Sequence, residues 1–252
     1  MLLNLVMIGA AGLVVMLLSA VLLVRWGVTY GSTPAERAAR MTGDEFFSED
    51  APAYVAMTRA IDIEAPPETA WPWLAQAGRG AGWYSHDWLD NGRRMSARHI
   101  VSWIPEPQKG DATAIGYLRS LETGRQMAWW APGVHYPGVD VSLAVEMQLS
   151  ARAAGSRLVI RISADAVGPM AHPTLWIFRL IDSIMATRQL VGFKECAETF
   201  AARLADPDHP ETGDRKQYQL YQAIYASGEW AGTYGREQAE HWRQIAIDAG
   251  AC

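Results

Sequence analysis

A chain of 252 residues, 50% hydrophobic and 19% charged, is long enough for one sizeable core with appendages and too apolar for a disordered polymer. A formal net charge of −5, without a basic stripe or recognition motif, excludes nucleic acid as a partner. Two distant cysteines, Cys196 and Cys252, make no disulfide framework, and six scattered histidines never pair at helical spacing, so neither a metal nor a cofactor is expected.

Leu2 to Val24 is apolar except for Asn4 and Ser19, and as a helix it reaches roughly 35 Å, enough to cross a bilayer core. It reads as a transmembrane anchor over residues 1–26; a cleaved signal peptide is the rival, which calls for a basic start and a shorter apolar run. Arg25, Arg37 and Arg40 follow the span, so the positive-inside rule places the bulk of the chain on the cytoplasmic side of a cell membrane, single-pass, with Trp26 and Tyr30 at the interface. Residues 27–52 read as a juxtamembrane connector, with Ser32 or Thr33 capping a short helix over Pro34 to Met41.

From Arg59 the chain alternates Ile61 and Ile63 with Asp62 and Glu64, a strand that stops at Pro66-Pro67. A helix over Pro67 to Ala77 follows, turning Trp71, Leu74 and Ala75 inward. Gly78, Gly80 and Gly82 break it; they follow a helix instead of a strand, so they read as a turn and not a phosphate loop. A short aromatic helix, Trp83 to Leu89, comes next. His99 to Trp103 reads as a strand, Lys109-Gly110-Asp111 as a turn, and Tyr117 to Leu121 and Gln126 to Trp130 as consecutive strands. Val139, Val141, Leu143, Val145, Met147 and Leu149 then alternate with polar or small residues, as a half-buried antiparallel strand requires. After a Gly155-Ser156 turn, Leu158, Ile160 and Ile162 continue the pattern as a hairpin partner.

Thr174 to Leu204 contains no proline, and Leu175, Phe178, Ile181, Met185, Phe193, Ala197, Phe200 and Leu204 recur at three- and four-residue steps, one long amphipathic helix. Gly192 inside it suggests close packing against a sheet. Residues 205–252 form an extension in which Tyr218 to Ala226 and Gly235 to Asp248 are expected helices, the second carrying an apolar stripe of Trp242, Ile245 and Ala246.

The strand, the Ala-Pro-Pro start, the WPWL helix, the GWYSHDWLDN stretch (82–91) and the RQLVGFKECAE ending of the long helix (188–198) resemble the SRPBCC (START-like, Bet v 1-like) superfamily, in particular its bacterial polyketide cyclase/dehydrase and lipid-transport branch. The resemblance runs from about Val55 to Leu204. It implies an α+β helix-grip fold over residues 53–204: a curved antiparallel sheet around a long C-terminal helix, with a core that closes without the anchor.

Ser85-His86-Asp87 sets three catalytic residue types side by side, but neighbours on a helix point about 100° apart, whereas a triad converges from different elements. No catalytic residue is assigned. A cavity lined by Tyr84, Trp88, Tyr117, Arg119, Trp129, Met147, Phe178 and Met185 suits an apolar ligand with one polar end, although the same residues would serve a filled core. Arg119 faces inward only if Tyr117 and Leu121 do; the other register turns Leu118 in and Arg119 to solvent. Three functions remain open: a membrane-anchored module binding a lipid or other apolar molecule, a cyclase-type enzyme, and a structural protein with a vestigial cavity. The bilayer is the expected partner, and the extension leaves room for a protein partner.

Overall fold

In the computed structural model, which describes residues 2–48, 54–206, 223 and 236–251, the strands β1 (Tyr54–Ile63), β2 (Ala112–Thr113), β3 (Gly116–Glu122), β4 (Gln126–Tyr136), β5 (Val139–Arg152) and β6 (Gly155–Val167) form one antiparallel sheet. Its order is β1-β6-β5-β4-β3-β2, so the first strand closes on the last and the intervening hairpins follow as a meander. The alternation in β5 turns Val145, Met147 and Leu149 onto the inner face, where Trp129, Leu118 and Ile160 join them. Across that face lie α3 (Pro67–Gln76) and α5 (Ala171–Ala205), the latter 35 residues and about 52 Å long, with Leu190, Phe193 and Ala197 buried. This is the helix-grip arrangement. Its apolar stripe is narrower than its sequence pattern, since Ile181 and Leu204 remain exposed.

The region expected to be a juxtamembrane connector carrying one short helix is packed against the sheet. Helix α2 (Pro34–Ala38) starts with a capping box between Thr33 and Glu36, and a 3-10 turn follows over Thr42–Phe46. Both lie on the outer face of the sheet. Arg161, on β6, donates to Thr58 Oγ1 (2.9 Å), to the carbonyls of Glu36 (2.8 Å), Arg37 (3.1 Å) and Ala39 (2.7 Å), and to Asp44 Oδ2 (2.6 Å). Arg157, four residues earlier on the same face, grips Glu36 through Nε and Nη2, both at 2.9 Å, and its guanidinium holds that carboxyl down to a pKa of about 2 against the opposing effect of burial. Glu146 of β5 accepts from the Gly43 amide at 2.6 Å. Two outward arginines therefore organise the connector, because a planar guanidinium satisfies several carbonyls and a carboxylate at once.

Helix α1 (Leu2–Gly27) leaves the body of the protein as an exposed apolar rod, but its last turn belongs to the core. Val24 and Val28 are buried in the same cluster as Met57 and Met147, and Gly27 lies so close to Ser183 of α5 that a side chain there would overlap it. The Tyr30 carbonyl accepts from the Ala60 amide at 2.9 Å, covering part of the open edge of β1, and the buried Arg59 donates from Nε to the Gly27 carbonyl at the helix end. The core thus does not close over 53–204 alone.

At the far end of the outer face, α6 (Arg236–Asp248) lays Trp242 and Ala246 against Tyr117, Trp130 and Ala144. The apolar stripe of the extension is covered within the chain. The helix expected over Tyr218 to Ala226 lies outside the described residues.

Candidate functional site

Between α5 and the inner face of the sheet is a cavity of about 400 Å³. Leu143, Val145, Met147 and Ile162 form its floor, Phe178, Ile181, Met185 and Ala186 its α5 wall, and Trp83, Leu89 and Ile115 come from the loops that close its end. An apolar lining with a few polar groups is the composition of a small-molecule site.

Its loop wall is shaped by one strained residue. Tyr84 has a positive φ of 61°, which ends the helical run expected over Trp83 to Leu89; only α4 (Asp87–Asp90) remains helical. The Tyr84 carbonyl sits where a side chain on residue 192 would be, so Gly192 allows loop and helix to touch. That close contact is with this loop and not with the sheet. The Tyr84 ring packs between Trp73 and Phe193, with centroids at 6.0 and 5.4 Å, and its hydroxyl accepts from Gln76 Nε2. Gln76 also donates to the His99 carbonyl (3.1 Å) and accepts from the Val101 amide (2.9 Å). The backbone of His99 to Trp103 is thus bound to a side chain, and no strand forms there.

Of the expected cavity residues, Met147, Phe178 and Met185 line the cavity. Trp129 is on the inner face in the adjoining core, and Tyr84 is core behind the loop. Trp88 is 66% exposed, with Arg93 stacked 5.6 Å from its ring, because the short α4 turns it outward. Tyr117 and Arg119 are on the opposite side of the sheet. Leu118 pairs with Trp129 on the inner face while Tyr117 pairs with Trp130 on the outer, and a bulge between Leu118 and Ser120 leaves Arg119 over the rings of Phe46 (4.4 Å) and Trp130 (5.9 Å). Arg119 is therefore not the polar contact of a ligand. Nor do Ser85, His86 and Asp87 converge: Asp87 holds Ser96, accepting from its amide at 2.9 Å and its hydroxyl at 2.5 Å.

The polar groups of the cavity are others. Asp182 of α5 is buried and ion-paired to Arg59 Nη2 at 2.7 Å, and burial pushes its carboxyl above the usual range despite that neighbour. Arg59 itself is shielded from solvent, with Nη1 unpartnered among the described residues. Asp90 has a buried oxygen, Oδ1, without a protein donor among the described residues; burial raises its pKa to about 6, assisted by the negative Asp87 and opposed by a hydrogen bond from Ser85. The Ser85 hydroxyl also points to the Met185 carbonyl at 2.8 Å, and Gln189 commits Nε2 to the Trp83 carbonyl at 2.8 Å. Sequence reasoning missed both aspartates and Arg59. The signals were there: Asp182, with Ser183, separates the apolar pairs Leu180-Ile181 and Ile184-Met185, and Arg59 sits at the inward register of Met57 and Ile61.

No group of three or more potential metal ligands occurs among the described residues. No protein-family model matches the chain, nor does any curated protein. Among solved structures it is similar to an AHSA1-like protein from Rhizobium etli, at 18% identity over 67% of this chain and 95% of that one, with a TM-score of 0.36. A protein from Mesorhizobium loti gives 17% identity over 59% and 98%, with a TM-score of 0.33. The di-domain ARO/CYC protein StfQ of the steffimycin biosynthetic pathway gives 12% identity over 61% of this chain and 52% of that one, with a TM-score of 0.36. At these values neither ligand nor activity carries across; the helix-grip fold rests on the strand order and helix placement described above.

Proposed function

We propose that this chain is a membrane-tethered helix-grip domain that holds a lipid or other apolar small molecule between α5 and the sheet. The observation that carries the reading is the cavity itself: about 400 Å³ of mostly apolar wall whose rim residues, Ile181 (50% exposed) and Leu89 (55% exposed), reach the surface. Support for the tether comes from α1, whose segment Gly9–Gly27 has a mean hydropathy of 2.0 and is 6% buried, too exposed to be a core helix of this domain. Near the contact of α1 with α5, the outward face of α5 carries Trp176, Ile177, Ile181 and Ile184, all exposed. Such a face suits the interfacial layer of a bilayer, and a ligand drawn from that bilayer gives the span a purpose. The arginines Arg25, Arg37 and Arg40, on the C-terminal side of the span, put the domain in the cytoplasm under this reading.

The test is the small-molecule content of the full-length protein purified from membranes, measured by extraction and mass spectrometry. Met185→Trp, which fills the cavity from α5, should lose the bound molecule while the melting temperature stays within a few degrees. Identical small-molecule content in both proteins, or none in either, would overturn the proposal.

A further inference from the structure

The cavity has a polar imbalance. Its titratable lining groups are Asp90 and Asp182, and no Lys, Arg or His lines it among the described residues. The donors nearby are largely engaged or lie outside the lining: the single Ser85 proton serves two acceptors, Gln189 gives one of its two amide protons to Trp83, and Arg59, whose Nη1 is unpartnered among the described residues, lies behind Asp182, paired to it and to the α1 end. The acceptors are not. Asp90 Oδ1 is buried without a partner among the described residues, and the largely buried Asp182 carboxylate has Arg59 as its counter-charge without a well-aligned hydrogen bond to Oδ2. A buried acceptor left unmet is costly, the more so when it is charged, and that cost is relieved only by a donor.

Building on the apolar-ligand reading above, we infer that the natural ligand ends in a hydrogen-bond donor, a hydroxyl or an ammonium group, which docks against Asp90 and Asp182 at the α4–α5 end of the cavity. A carboxylate or phosphate headgroup is disfavoured there, because it would bring a third anionic group to two carboxylates with no cation lining the cavity among the described residues. The apolar body lies along Phe178, Met147 and Val145, and the donor end rests beside Ser85. Asp90 is the recognition residue that can be tested without breaking the Arg59 pair, since it ends the short α4 and takes no part in that ion pair.

The experiment uses the full-length protein in lipid nanodiscs and three probes of equal chain length, decanol, decylamine and decanoate, followed by the fluorescence of the tryptophans, of which Trp83 lines the cavity. Decanol and decylamine should bind at least tenfold more tightly than decanoate at neutral pH. Asp90→Asn should weaken decylamine at least fivefold and bring decanoate closer to the others. Equal affinity for all three probes, or no change in the Asn variant, overturns the headgroup inference and leaves the apolar cavity standing. Failure of every probe to bind, with wild-type folding confirmed by circular dichroism, counts against the cavity reading and takes this inference with it.

Discussion

Replacing Arg161 with methionine isolates the device that fastens the segment 33–47 to the sheet. The side chain is 5% exposed and makes five donations to four backbone or side-chain partners on that segment and to Thr58. Methionine keeps much of the apolar stem but removes every donor, leaving Asp44 and three carbonyls facing one another. Breaking a buried pair from one side costs about 3–5 kcal/mol. Asp44 keeps 21% of its side-chain surface, so water softens the loss towards the lower end, about 3 kcal/mol. For a chain of this size each kcal/mol moves the melting temperature by about 2–4 °C, so the expected fall is about 6–12 °C. Thermal melting followed by circular dichroism in detergent measures it, and limited proteolysis should show new cleavage between residues 33 and 48. Arg188→Met is the control: its pair with Glu195 is 33% and 47% exposed, and such surface pairs contribute about 0–1 kcal/mol. If the two variants melt within about 2 °C of each other, the outer-face arginine does not organise the connector and the reasoning fails.

Two further outcomes follow from the same geometry. Asp90 has a folded pKa of about 6 against 3.8 for the free group, so its contribution to stability is full below about 4 and is lost as pH rises through about 6; the melting temperature of Asp90→Asn should therefore gain on wild type between those values, and a constant difference across the range would contradict the burial assigned to it. For topology, Cys252 should react with a membrane-impermeant thiol reagent only after intact cells are permeabilised, and strong labelling beforehand would place the domain on the other side.

The parts of this architecture that rest on local periodicity were legible in the chain. β5 and α5 alternate or repeat over ten or more residues and β6 over about six, and each forms close to where its pattern puts it. What escaped depends on partners far away in sequence. The connector read as a spacer because its holding residues, Arg157 and Arg161, lie more than a hundred positions on; nothing within residues 27–48 announces them. Tyr117 and Arg119 share the outer face while Leu121 pairs with Met127 on the inner one, because a bulge between Leu118 and Ser120 inverts the later part of β3, so the facing of Leu121 was no guide to that of Arg119. Tyr84 took an αL conformation because Gly192 of another element lets its carbonyl in, a tertiary demand that overrode local helix preference. Aromatic residues dominated the sequence-based choice of cavity lining, yet the inward stations went largely to aliphatic and methionine side chains, and the rings were used as core and as outer-face cover.

The way the last turn of α1 is built into the body sets how this molecule would respond to its surroundings. With Gly27 seated on Ser183, Arg59 gripping the helix end and Val24 and Val28 sharing the core of the sheet, no swivel separates rod from head. With the rod spanning a bilayer as proposed above, a change in its tilt, of the kind a thicker or thinner bilayer imposes through hydrophobic mismatch, would rock the whole head with it. The rim at Ile181 and Leu89 would then be pressed into the lipid or lifted clear of it, making access to the cavity a readout of membrane thickness.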